Sequence, residues 1–258
     1  MISLPIYTKG DRVAPQQHIQ TIKMLFSDRI TNSIIHSQVI NPYSLKHFSK
    51  IRRHYYTDIE VTDRDTVSQL FTETEKCTVL NFASYKHAGG GFTDGMMAQE
   101  ECLCQASTLY PVLDAFTNIY YKPHAKALND GLYADDGIIS HDITFFNQFY
   151  ERSVNADVIT LAAPNMCRRD RHDPKRQDAL RRRCKAVLEL AYLLGNDVLI
   201  LGAYGCGVFS NDPYDVARFF KEWLDTEYFG MFKKVVFAIP YIGKTGKSNY
   251  EMFAKVLR

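Results

Sequence analysis

No uninterrupted apolar run in this chain reaches the roughly 20 residues that a membrane-spanning helix requires. The best candidate, Val198 to Phe209, is broken by glycines. The opening residues, MISLPIYTKGDR, hold no basic segment followed by an apolar stretch, so no secretory signal is expected. The reading is of an intracellular, cytoplasmic protein without a membrane partner, with a nuclear or host-cell location left open. Charge of one sign is also scarce. The 31 Lys and Arg stand against 29 Asp and Glu, and the net +2 falls short of the concentrated basic excess of a nucleic-acid-binding domain. The six cysteines, Cys77, Cys102, Cys104, Cys167, Cys184 and Cys206, form no CxxC pair and have no histidine at metal-ligand spacing. Reduced thiols are expected, with no metal and no cofactor. Cys102 and Cys104 lie closest, on an expected helix where i and i+2 side chains point apart. Internal repeats, low-complexity tracts and heptad runs are absent too.

What remains is an ordinary globular composition, 46% hydrophobic and 23% charged, at a length suited to one compact unit, expected to be a monomer. Residues 1–75 lean helical, with apolar spacing near 3.6 in Gln16 to Phe26 and Thr66 to Phe71. Pro42 and the basic, aromatic stretch His47 to Tyr56 interrupt that pattern. These residues are expected to form a helical extension packed on a core of residues 76–258. From Cys77 the texture turns to α/β. Thr78 to Ala83, Val158 to Ala163, Val198 to Leu201 and Val235 to Ile239 are apolar, β-branched runs with little alternation, which suits strands covered on both faces. A further strand is expected near Gly137 to Ser140. A helix should run from about Gln177 to Leu194, with Gly195 as its left-handed cap. Another should begin after Asp212, where Asp-Pro supplies an N-cap and a first helical residue and Val216, Phe219, Phe220 and Trp223 form the inward face.

The most informative stretch is Asn81 to Ser107, NFASYKHAGGGFTDGMMAQEECLCQAS, between an expected strand and an expected helix. Gly89, Gly90 and Gly91 expose backbone N–H groups without Cβ obstruction and adopt positive φ freely. A close approach to phosphate or sugar is one reading, and a flexible connection is the other. Glu100 and Glu101, preceded by Gln99, open the helix. Acids in a first turn ordinarily complement the helix dipole, so the pair alone decides nothing.

The combination is more specific. GGG, seven residues, then QEE resembles the catalytic signature of the poly(ADP-ribose) glycohydrolases, and the flanking NFAS and ECLCQAS are similar to the microbial type. LGAYGCGVFSNDPYDVA, Leu201 to Ala217, resembles that family's diphosphate-binding loop. VITLAAPN and VVFAI extend the resemblance over about residues 60 to 258. It implies a macrodomain-like fold, a mixed β-sheet sandwiched between helices, with a cleft for one terminal ADP-ribose. It implies Glu101 as general acid and then base, with Glu100 hydrogen-bonding ribose hydroxyls. Ser84, Gly89, Gly90, Gly91 and Gln99 would contact substrate. Gly205, Cys206, Gly207 and Val208 would hold the diphosphate, and Phe209 would pack on the distal ribose. The strand-loop-helix context of Gly205 and Gly207 supports the phosphate role on physical grounds.

The implied activity is hydrolysis of the ribose–ribose O-glycosidic bond from chain ends, releasing ADP-ribose without metal or cofactor. Two alternatives stand beside it: a mono-ADP-ribosyl hydrolase acting on protein or nucleic acid, and a macrodomain that binds ADP-ribose without cleaving it. A helix N-terminus favours a carboxylate, whereas a general acid needs a proton. The adjacent Glu100 charge, partial burial and the bound diphosphate are expected to raise the pKa of Glu101 and offset the dipole. His87-Ala88 replaces the family's usual Asn-Pro before the triple glycine, so loop rigidity or ribose contacts are expected to differ. Eight Lys or Arg lie between Arg168 and Arg183, interspersed with Asp170, Asp173 and Asp178. Contact with a polyanion such as poly(ADP-ribose) is one reading of that cluster, and a solvated loop and helix face is the other.

Overall fold

A computed structural model describes residues 14–44, 54–147 and 149–258. Residues 47–53 of the basic, aromatic stretch lie outside the described residues. Seven strands form one sheet: β1 (Gln38–Ile40), β2 (Asp58–Thr62), β3 (Cys77–Phe82), β4 (Gly137–Phe146), β5 (Ser153–Leu161), β6 (Val198–Leu201) and β7 (Lys234–Ala238). Their order is β1-β4-β5-β3-β6-β7-β2. The pairs β1–β4 and β4–β5 are antiparallel, and the remaining pairs are parallel. Nine α-helices accompany them among the described residues: α1 (Pro15–Leu25), α2 (Ser27–His36), α3 (Thr66–Leu70), α4 (Gln99–Gln105), α5 (Leu109–Asp114), α6 (Lys122–Lys126), α7 (Pro174–Leu194), α8 (Pro213–Asp225) and α9 (Gly243–Leu257).

The central strands are apolar on both faces because both faces are covered. Leu80, Ile159, Leu161, Leu199, Leu201, Val235 and Phe237 pack with α7, α8 and α9. Their alternates Val79, Ala156, Val158, Val198 and Ile200 pack with α2, α4 and α5. The period-2 geometry of a strand thus divides one apolar run between two cores. None of the helices among the described residues is long and apolar enough to cross a membrane.

The segment expected as a helical extension also supplies both edge strands. Val39 pairs with Ile138 at one edge, and Ile59 pairs with Val235 at the other. Short edge strands carry little periodicity of their own; their pairing comes from the strand beside them. Two boundaries shift for a related reason. β4 runs on to Phe146 across a register shift between Ser140 and Ile143, where Asp142 takes φ 54°, and β5 begins at Ser153 to match it. A bulge interrupts the apolar pattern without ending the ladder.

The two long helices begin on Asp-Pro. Asp173 accepts from Lys175 N and Asp212 from Tyr214 N, each at 2.9 Å, so α7 starts three residues before the expected Gln177. Gly195 closes α7 with φ 78°. Because Asp212 also fixes where α8 leaves the preceding loop, Asp212→Ala should destabilise the fold by about 1 kcal/mol in urea titrations. An unchanged midpoint would show that the Pro213 ring alone sets the helix start.

Candidate active site

Strands β3 and β6 are parallel neighbours, with Cys77, Thr78 and Val79 opposite Val198, Leu199 and Ile200. Their carboxyl ends therefore release two glycine-rich loops side by side, the position at which open α/β sheets bind ligands. The first loop runs from Ala83 into α4. Gln99, the first residue of α4, bolts that helix to the strand: its Oε1 accepts from Phe82 N at 2.9 Å and its Nε2 donates to Leu80 O at 2.8 Å. A third contact reaches Thr66 Oγ1 at 3.2 Å. The amide expected to contact substrate is thus engaged within the chain, and Gln99 meets the cleft as part of its wall.

Glu100 and Glu101 are 3% and 6% exposed, which for carboxylates demands built-in partners. Glu100 Oε2 accepts from Ser84 N at 2.7 Å and Oε1 from Asn81 Nδ2 at 3.1 Å. Burial nonetheless pushes its carboxyl up to about 8, against these hydrogen bonds and with help from the neighbouring Glu101 charge. A carboxyl held there carries a proton at neutral pH. Glu101 stands at the third helical position. Its Oε2 accepts from Ala98 N at 2.8 Å, one half of a capping box whose other half Ala98 has no side-chain acceptor to complete. Its Oε1 accepts from Gly91 N at 2.9 Å.

The triple glycine plays a different part from the one its exposed amides suggested. Gly91 N is held by Glu101, Gly90 N donates to His87 O at 3.1 Å, and Gly89 N–H bears on Glu100. The loop's amides organise the acids. The absence of side chains serves steric closeness: at φ 62°, a Cβ on Gly90 would collide with Glu101 Oε1 and lie 2.9 Å from Glu100 Oε2. Both carboxyls therefore converge on the space over Gly90. Gly89, at φ 67°, is buried under the ring of Tyr110. Ser84 Oγ accepts from His87 N at 3.2 Å and shapes the turn, while His87 itself is exposed at the cleft wall.

In the second loop the amides are open. Among the described residues, Gly205, Gly207, Val208 and Phe209 donate their N–H groups to no group of the chain. Gly205, at φ 70°, passes so close to Asn211 and Ala163 that a Cβ would strike both, whereas Gly207 faces open space. Asn211 Nδ2 ties the loop to Pro164 O at 2.8 Å and to Gly205 O at 3.1 Å. The Cys206 side chain turns away from the cleft and into the core, its Sγ against Tyr204 O. Val208 is 72% exposed at the rim, and Phe209 is half-buried, its ring 5.9 Å from that of Tyr133.

Both loops line one cleft of about 990 Å³, which takes in Ser84, Gly90, Gly91, Gln99, Glu100, Glu101, Gly205, Gly207, Val208 and Phe209. Sequence reasoning missed other residues that line the cleft: Tyr110, Asp114, Thr117, Tyr121 and Lys122, together with Asn249 from α9. Aromatic residues of that stretch read equally well as core. The one local signal was Pro123, two residues after a tyrosine pair in a helical segment.

Six of the eight basic residues between Arg168 and Arg183 are paired within the chain. Arg169 and Arg176 pair with Asp130, Arg171 with Asp212, Arg182 with Asp178, and Arg181 with Glu222 while lying over Trp223. Arg183, fully buried, binds Asp135, Leu132 O and Ala162 O, securing the loop that carries Tyr133.

A helix-flanked mixed sheet with paired buried acids beside a second, amide-lined loop defines a class of protein, the macrodomain-like glycohydrolases. The comparisons make the assignment narrower. Residues 4–148, more than half of the chain, match the family model described as microbial-type PARG, catalytic domain. A Thermomonospora curvata poly(ADP-ribose) glycohydrolase structure is 27% identical with a TM-score of 0.84, covering 96% of this chain and 100% of that one. The same enzyme bound to the inhibitor ADP-HPD is 28% identical with a TM-score of 0.83, covering 96% and 99%. The Deinococcus radiodurans poly(ADP-ribose) glycohydrolase in complex with ADP-ribose is 32% identical with a TM-score of 0.78, covering 89% and 97%. No curated protein matches the chain. The chain belongs to the microbial-type poly(ADP-ribose) glycohydrolase family.

Proposed function

We propose that this glycohydrolase removes ADP-ribose from the ends of poly(ADP-ribose) by hydrolysing the terminal ribose–ribose bond, with Glu101 as acid and base. The observation that carries the reading is the convergence of Glu100 and Glu101 over Gly90, across the cleft from a loop with open amides. The diphosphate sits on the amides of Gly205, Gly207, Val208 and Phe209, which supply the partial positive charge an anion needs without desolvating a lysine. That places the sugar over Gly90.

The C1–O bond then breaks through an oxocarbenium-like state. Glu101 gives its proton to the departing ribose oxygen, water adds its oxygen to C1, and the proton released by water returns to Glu101. Glu100 holds the ribose hydroxyls and, being protonated at neutral pH, is a hydrogen-bond donor to them. Phe209 packs on the distal ribose and fixes its orientation. The roles of Ser84, Gly89 and Gln99 in this scheme are structural: they set the acids in place. The complexes of the bacterial relatives with ADP-ribose and ADP-HPD support ADP-ribose as the ligand of this cleft. The internal pairing of the arginines favours the solvated-face reading of the basic cluster and assigns substrate recognition to the cleft.

Incubation with polymeric and with mono-ADP-ribosylated protein substrates, followed by chromatography of free ADP-ribose, tests the proposal. Release from polymer is expected. Release from the mono-modified substrate alone would replace the reading with the narrower hydrolase. Release from neither, with ADP-ribose bound, would make the chain a reader.

A further inference from the structure

The lining of the cleft includes a π-helical segment, Thr117–Tyr121, in which the N–H of Lys122 reaches back five residues to Thr117 O. Its cause is local. Pro123 has no N–H to give, and its ring clashes with the carbonyl four residues back, so the helix widens by one residue before α6. Residues four apart lie on nearly the same side of such a turn, as they do in an α-helix. Thr117 and Tyr121 both line the cleft, while Tyr120 points away and donates its hydroxyl to Asp136 O at 2.9 Å.

Tyr121 is 1% exposed, yet its hydroxyl has no hydrogen-bond partner among the described residues. Its ring is held edge-on against Tyr120 at 5.0 Å and 86°, so the hydroxyl is placed by packing and not by a polar contact of its own. A buried hydroxyl without a partner is unfavourable in the empty fold, and one beside a cleft is completed by what enters the cleft. Burial above all holds the phenol well above its ordinary pKa, which keeps it a neutral donor.

We infer that the Tyr121 hydroxyl is a specificity-determining contact to the sugar of the terminal ADP-ribose unit, hydrogen-bonding a ribose hydroxyl beside Glu100. The inference rests on the glycohydrolase reading above. A phenol both donates and accepts, as an alcohol does, which suits it to a ribose hydroxyl.

The test is Tyr121→Phe, which removes the hydroxyl and leaves the ring. Calorimetric titration should show ADP-ribose binding weakened about 10-fold, while ADP, which lacks the terminal sugar, binds as to the wild type. KM for polymer should rise by a similar factor, and the melting temperature should stay level or increase, because no protein partner is lost. An ADP-ribose Kd within about twofold of wild type, or an equal loss for ADP, would overturn the inference. A lowered melting temperature with parallel losses for both ligands would do the same, by showing a structural role. Failure of the underlying reading is distinguishable, since it appears in the wild-type protein as absence of ADP-ribose binding.

Discussion

Glu101→Gln is expected to bind ADP-ribose within a few-fold of wild type and to lose turnover by roughly 100-fold or more. The side-chain volume is preserved, but the amide has no titratable proton to give to the departing ribose oxygen or to recover from water. A second consequence follows from the hydrogen bonds. Both carboxylate oxygens of Glu101 accept from backbone N–H groups, Gly91 at 2.9 Å and Ala98 at 2.8 Å. A glutamine has one acceptor oxygen, so its NH2 must face one of those donors, loosening the start of α4 by about 1 kcal/mol. The two effects separate by measurement. Single-turnover release of ADP-ribose reads the chemistry, and urea denaturation reads the cap. Turnover equal to wild type would remove Glu101 from the acid–base role, whatever the stability.

The second large effect is on stability against pH. Glu100 titrates near 4.5 in an unfolded chain and at about 8 in the fold. Between those values the folded protein holds a proton that the unfolded chain has released, so this group's contribution is greatest below 4.5 and is lost as pH rises toward 8. The loss is on the order of a few kcal/mol. Glu100→Gln removes the titration while resembling the protonated acid. It keeps an oxygen for Ser84 N, and its NH2 takes the place of Oε1 opposite Asn81, whose amide turns over to present the Oδ1 that otherwise has no partner among the described residues. The variant should therefore be more stable than wild type at about pH 9 and no more stable near pH 5. Other titrations, such as that of buried Asp157 with His141 and Lys76, are common to both proteins and cancel in the comparison. Parallel stability profiles for the two proteins would show that Glu100 ionises in the fold as it does in water.

Sites of this kind divide unequally between local and distant causes. The Asp212-Pro213 start of α8, the left-handed cap at Gly195 and the acids at the head of α4 were readable because each depends on a few adjacent residues and their backbone preferences. The buried runs at Cys77, Val198 and Val235 were readable too, since a strand covered on both faces has nowhere to place polar groups. The edge strands at Gln38 and Asp58 were not, because three to five mixed residues carry no pattern until a neighbouring strand pairs with them. Tyr121 escaped for a different reason. A tyrosine beside another tyrosine reads as core, and which of the two lines the cleft is decided by how the Thr117–Tyr121 turn packs in the fold.

By itself, then, the sequence determined the element types, the two glycine-rich loops and the acids that belong with them. The order of strands decided the rest. Pairing β3 with β6, more than a hundred residues apart, sets the two loops side by side and makes them one cleft. It also distributes their work: the first loop turns its amides inward to hold Glu100 and Glu101, and the second leaves its amides open. Which N–H groups find partners depends on what the folded chain brings near them, and that is information no local stretch of residues contains.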